Sequence, residues 1–137
     1  MIYVVIDTNV LVSAMIKWSS IPGSILEFAL TGVITPVLNE KIIEEYRTVL
    51  SREKFHMSQD IVEDVIQTLI EQGEFIKPDV KSVKLPDSKD VIFYEVVMEK
   101  RKSNNSYLVT GNIKHFPKER FVVTPREMLE IVLNSRN

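Results

Sequence analysis

Apolar positions along the chain follow two rhythms, unbroken runs of four or five residues and stretches in which they recur every three or four. Ile2-Tyr3-Val4-Val5-Ile6 has no polar alternation and is β-branched and aromatic, which predicts a strand buried on both faces, typically parallel and central. Val10 to Lys17 predicts a short helical turn, and Ser20-Ile21-Pro22 starts a helix through Leu26 and Ala29 to Leu30 that Gly32 ends. Val33 to Val37 predicts a second short strand. Asn39 is placed to cap a helix whose Ile42, Ile43, Tyr46, Val49 and Leu50 form one apolar face. Ser58 is placed to cap another, in which Ile61, Val62, Val65, Ile66, Leu69 and Ile70 keep the same period until Gly73.

Phe75-Ile76 and Val80 to Leu85 predict an exposed strand or sheet edge leading to Pro86, after which Asp87 or Ser88 caps a helix through Val91, Ile92, Tyr94, Glu95, Val96 and Met98. Tyr107 to Thr110 is the next buried strand, with Gly111 as a turn or close-approach residue. Phe121 to Val123 is a last strand, and Thr124-Pro125 opens a helix through Met128, Leu129, Val132 and Leu133. The order strand, helix, strand, three helices, two strands and a helix predicts a three-layer α/β/α sandwich around a central, mostly parallel sheet.

A chain of 137 residues fits one domain spanning residues 1–137, since that size buries roughly two thirds of its extended surface around one core. A hydrophobic share of 45% with 26% charged residues is the composition of a soluble globular protein. No apolar stretch approaches the roughly 20 residues that span a bilayer, and Met1 leads straight into a strand rather than a basic leader. A cytoplasmic protein is expected. The absence of cysteine excludes a disulfide framework, thiolate metal ligands and a cysteine nucleophile. A net charge of −2 does not advertise nucleic-acid binding, unless several of the acids share a metal cluster that neutralises them.

Parallel α/β sheets bring the C-terminal ends of their strands to one edge, where ligands bind. Four stations qualify: Asp7 after the first strand, followed by Thr8 and Asn9; Glu45 in the helix after the second; Asp87 and Asp90 after Pro86; and Asn112 after the Tyr107 to Thr110 strand. Each has a bland alternative. An Asp after a strand forms turns, Asp-x-x-Asp at a helix start is ordinary capping, and a Glu on a surface helix is usually solvated. Glu45 lies at the margin of its helix's apolar face, whereas Glu44 points farther toward solvent. Gathering three or four carboxylates is unfavourable unless a cation neutralises them or one takes up a proton. The all-oxygen donor set suits Mg2+ or Mn2+, either of which can activate water for attack on a phosphodiester.

Rival groupings are weak. Gly23, Gly32, Gly73 and Gly111 are scattered, which argues against an ATPase phosphate loop. Ser13 and Ser106 lack a nucleophile-elbow setting, and His56 and His115 have no metal-ligand spacing. Arg47, Arg52 and Lys54, and separately Lys114, His115 and Lys118, are placed to approach phosphates from a rim. Trp18 with Lys17 can stack on a base or pack on a partner or the core.

The run Val4-Val5-Ile6-Asp7-Thr8-Asn9-Val10-Leu11-Val12-Ser13-Ala14 resembles the opening of a PIN domain, in particular the bacterial PIN-family toxins of toxin–antitoxin systems. The resemblance continues through Glu44 to Phe55, Pro86-Asp87-Ser88-Lys89-Asp90, Leu108-Val109-Thr110-Gly111-Asn112 with His115-Phe116, and Val123 to Leu129. It implies a Mg2+- or Mn2+-dependent ribonuclease with Asp7, Glu45 and Asp90 as metal ligands, and Asp87 as auxiliary acid or helix cap. It also implies an RNA substrate, a homodimer and a cognate antitoxin covering the acidic groove, with Tyr3, Trp18, Ile21 and the Ile61 to Ile70 helix as candidates for core or dimer face. One departure stands out: the family's Thr-Gly-Asp is Thr110-Gly111-Asn112 here, so a neutral carbonyl replaces a charge and a second metal loses a ligand. Two other readings compete, a non-catalytic RNA- or protein-binding module and a haloacid-type hydrolase. The latter needs an Asp two residues beyond Asp7, where this chain has Asn9.

Overall fold

The structure, a computed structural model, describes residues 1–79 and 84–135; of the expected edge over Val80 to Leu85, residues 80–83 lie outside them, and Lys84 and Leu85 are not in a strand. In chain order it contains β1 (Tyr3–Ile6), α1 (Thr8–Ile16), α2 (Ile21–Leu30), β2 (Thr35–Leu38), α3 (Glu40–Leu50) and α4 (Gln59–Gln72). β3 (Glu74–Phe75), α5 (Val91–Arg101), β4 (Ser106–Val109), β5 (Val122–Val123) and α6 (Pro125–Ser135) follow. The five strands form one parallel sheet in the order β3-β2-β1-β4-β5. Six helices flank it, giving the α/β/α sandwich that the alternation of elements predicts.

β1 sits at the centre because its sequence can be buried on both faces: Val4 and Val5 are inaccessible to solvent and Ile6 nearly so, as are Leu108 and Val109 beside them. Burying each such aliphatic chain is worth roughly 1.5–3 kcal/mol. The chain steps from β1 to β2 and on to β3, then returns past β1 to β4. With right-handed crossovers, that reversal sends α5 to the face opposite α1 and α2, and α5 packs across β1, β2 and β4 and meets α3 at the sheet's edge. Between β1 and β4 lies the crevice where the strand order reverses. Asp7 and Thr110 are the first residues beyond those two strands.

Several local expectations shift for identifiable reasons. The turn after Asp7 is a full nine-residue helix with Asp7 as its cap. β2 begins later than Val33 because the Val33 and Ile34 amides both donate to the Phe28 carbonyl, finishing α2 after Gly32 turns at φ +82°. Ser58 precedes α4 without a side-chain cap. Asp87 caps a 3-10 turn, Ser88–Asp90, rather than α5 itself. Thr124 caps α6 reciprocally with Glu127: the Glu127 amide donates to Thr124 Oγ1 at 3.2 Å and the Thr124 amide to Glu127 Oε1 at 2.9 Å. Gly111 is not a close-approach position, since a Cβ there would meet Asn9 Oδ1 at an ordinary 3.5 Å.

Among the described residues, no helix is long and apolar enough to cross a membrane. Of the residues considered for a dimer face, Tyr3 is half-buried beneath the Lys100 ammonium, 4.0 Å from its ring centre. Ile21 is also half-buried, whereas Trp18 and Ile61 are exposed.

Candidate active site

Asp7 leaves β1 with its amide still donating to Val109 of β4 at 3.0 Å, so the ladder itself fixes its backbone. The residue is 5% exposed, and its carboxylate is held on both oxygens. Oδ1 accepts from the Thr8 amide at 2.8 Å, while Oδ2 accepts from the Thr110 hydroxyl at 2.7 Å and the Asn9 side-chain amide at 3.2 Å. Asn9 Oδ1 in turn accepts from the Gly111 amide at 3.1 Å, tying the ends of β1 and β4 together. Burial, opposed by the Thr110 hydrogen bond and reinforced by Asp90, pushes Asp7 up to about 6 from its ordinary 3.8.

Asp7, Thr8, Asn9, Glu45, Asp87 and Asp90 line one cleft of about 420 Å³, with Arg52, Lys89 and Phe55 around it. Glu45 reaches it because α3 is pinned from below. The buried Tyr46 hydroxyl donates to the Ile6 carbonyl at the end of β1, and its ring lies 6.3 Å from that of Phe93 in α5. Glu44 is absent from it and lines an adjacent cleft with Lys41 and Thr48, whose wall Glu45 shares. Asp90 enters from the 3-10 turn that Asp87 caps through the Lys89 amide at 2.9 Å. Burial raises its pKa, Asp87 and Glu45 raise it further, and His115 opposes them. Neighbouring carboxylates therefore hinder the ionisation of Asp7 and Asp90.

Asn112 is not part of this cleft. Its side chain is exposed, and its backbone amide donates to Thr110 Oγ1 at 3.0 Å, orienting the hydroxyl that serves Asp7. The basic residues also divide. Arg52 lines the cleft. Arg47 is engaged by Glu63 of α4 at 3.2 Å, Lys54 lies over the Phe55 ring, and Lys114 lines a separate hollow with Lys118 and Phe116. His115 turns inward, its Nδ1 3.4 Å from Asp90 Oδ2, outside hydrogen-bond geometry. Lys89 is the charged cleft residue that sequence reasoning missed. The signal was its place between two acids on one short turn.

Among the described residues, no three Asp, Glu or His side chains are gathered tightly enough to grip an ion unaided. The donor chemistry nevertheless fits a hard divalent cation. The oxygens crowd one another's charge, and Asp90 Oδ2 is a buried acceptor without a hydrogen-bond partner. Such a site suits an ion that takes one or two carboxylates directly and keeps several waters, as Mg2+ does.

A family model described as PIN domain matches residues 3–114. No curated protein and no solved structure matches the chain.

Proposed function

The chain belongs to the PIN domain family, whose members are generally Mg2+- or Mn2+-dependent nucleases, and from that premise we propose that it is a metal-dependent endoribonuclease hydrolysing RNA phosphodiester bonds, the toxin of a toxin–antitoxin pair. The observation that carries the nuclease reading is the convergence of Asp7, Glu45, Asp87 and Asp90 on one cleft with Arg52 and Lys89 at its sides. The toxin reading rests on the motif around Asp7 and its ordered companions along the chain. A cognate antitoxin and a second copy of the chain are its proposed protein partners, the antitoxin segment covering the acidic cleft.

When bound, a divalent ion would supply an activated water and stabilise charge on the scissile phosphate. Asp7, Glu45 and Asp90 would hold it. Thr110 and Asn9 keep the Asp7 carboxylate in one orientation, so no rotamer need be frozen on binding. Arg52 and Lys89 would take the flanking phosphates, which positions the backbone without reading sequence. Asn112 contributes through its amide and Thr110 rather than as a ligand. The test is incubation of the purified protein with structured and single-stranded RNA in Mn2+ or EDTA. Cleavage that requires Mn2+ and disappears in folded Asp7→Asn and Asp90→Asn variants is expected; its absence sinks the proposal.

One observation favours a second reading, a non-catalytic RNA- or protein-binding module: the acids are not preassembled into a three-ligand site and Asn112 stands outside. A module of this kind takes up no ordered metal and keeps its RNA affinity after Asp7→Asn. Metal titration separates the two.

A further inference from the structure

His115 touches the site without lining the cleft. Its Nδ1 lies 3.4 Å from Asp90 Oδ2, and of the two Asp90 oxygens only Oδ2 is both buried and without a hydrogen-bond partner among the described residues. Buried acceptors are nearly always paired, because one left alone forfeits the water it had in the unfolded chain. The other charged groups that crowd Asp90 are Asp87 and Glu45, which when ionised have no proton to give. His115 Nδ1 is the donor within reach, a few tenths of an ångström beyond an ordinary N–H···O bond.

The ring is carried on a 3-10 turn, Ile113–His115, that is fixed on both sides. Before it, the Asn112 amide donates to Thr110 Oγ1, whose proton goes to Asp7. After it, Phe116 is 6% exposed and its ring stacks on that of Tyr94 at 6.4 Å, about one turn of α5 beyond Asp90. One short segment after β4 thus reaches Asp7 at its start and Asp90 at its end.

We propose that His115 is a positioning residue whose Nδ1–H donates to Asp90 Oδ2 and so fixes the orientation in which Asp90 meets the divalent cation. This rests on the metal-site part of the reading above and does not require that RNA be cut. The neutral ring can carry a proton on Nδ1 as the charged ring does, so the role does not turn on the charge of His115. Hydrogen bonds in an empty site are often long and tighten when it is filled. A carboxylate has about four acceptor positions, so one N–H leaves it free to bind the ion. Groups that orient direct ligands typically contribute about 10–100-fold to metal affinity. The lower figure applies here, because the His115 side chain is 48% exposed and water can replace it in part.

His115→Asn places an amide N–H close to where Nδ1 stood, whereas His115→Gln places one closer to Nε2. Calorimetric titration of the whole chain with Mn2+ alone is expected to show about tenfold weaker binding in His115→Ala and His115→Gln and near-wild-type affinity in His115→Asn. A merely structural residue gives lowered melting temperatures with unchanged Mn2+ affinity. A ligand bound through Nε2 gives rescue by His115→Gln instead, and a phosphate contact gives a raised KM for RNA with unchanged Mn2+ affinity. Each of these three results overturns the proposal. A second measurement needs no metal: in long-range 1H–15N spectra at about pH 8.5, above the ordinary histidine range, the His115 ring is expected to carry its proton on Nδ1 and to lose that preference in Asp90→Ala. A wild-type ring protonated on Nε2, or a wild type that takes up no Mn2+, overturns the proposal too. If both measurements come out as expected but no RNA is cleaved, the ribonuclease reading fails and the role of His115 stands.

Discussion

Asp7 works against the fold that holds it. Burial raises its pKa to about 6 from 3.8, so folding disfavours its ionised form in the metal-free protein. The destabilisation is absent below the unfolded value, grows between about pH 4 and pH 6, and is complete above, where it amounts to roughly 3 kcal/mol. Metal-free wild type should therefore lose stability relative to Asp7→Asn as pH rises through that window, measured by denaturant melts at pH 4, 5, 6 and 7.5. A constant difference would contradict it. Metal binding must displace the same proton, so the Mn2+ affinity of the wild type, read by calorimetry, should fall about fourfold between pH 7.5 and 5.5. At Asn112, only the backbone amide serves the site, so Asn112→Ala should keep cleavage within about twofold, whereas loss of a direct ligand typically costs far more. The acids at strand ends could be read from sequence because a charge after an apolar run is conspicuous. Asn112 could not be placed, since sequence does not say whether a residue acts by its side chain or its amide.

At the level of elements, the site depends on α3 and on the 3-10 turn before α5. Tyr46 joins α3 to the last carbonyl of β1, one residue before Asp7, and burial holds its phenol protonated. Tyr46→Phe should cost about 1–3 kcal/mol, because the Ile6 carbonyl loses its buried partner, and should lower cleavage by letting Glu45 drift; urea melts and turnover assays check both. The turn carries Lys89 beside Asp90. Lys89→Ala and Arg52→Ala should raise KM for RNA several-fold with kcat little changed, whereas Arg47→Ala, whose guanidinium is engaged by Glu63, should leave both alone. Helix periodicity exposed α3, α4 and α6 because each buries one regular face. The 3-10 turn was invisible to that logic, being a single turn shaped by the Asp87 side chain rather than by an apolar stripe. The basic residues were equally hard to sort, since their partners lie on other elements.

Across the whole molecule, strand order places the chemistry. The reversal at β1 opens a crevice between β1 and β4, and topology then brings residues from the start, middle and end of the chain to one edge. That much was legible because unbroken apolar runs alternating with amphipathic helices imply a parallel sheet, whose active edge follows. The net charge of −2 no longer argues against an RNA substrate if an ion neutralises the cleft acids. The most direct test is anomalous diffraction from crystals of the protein soaked in Mn2+. A peak in the cleft about 2.1 Å from carboxylate oxygens of Asp7 and Asp90, absent in Asp7→Asn, is the predicted result. A cleft without a peak at saturating Mn2+, or a peak bound only elsewhere on the protein, would contradict the metal centre from which the rest is argued.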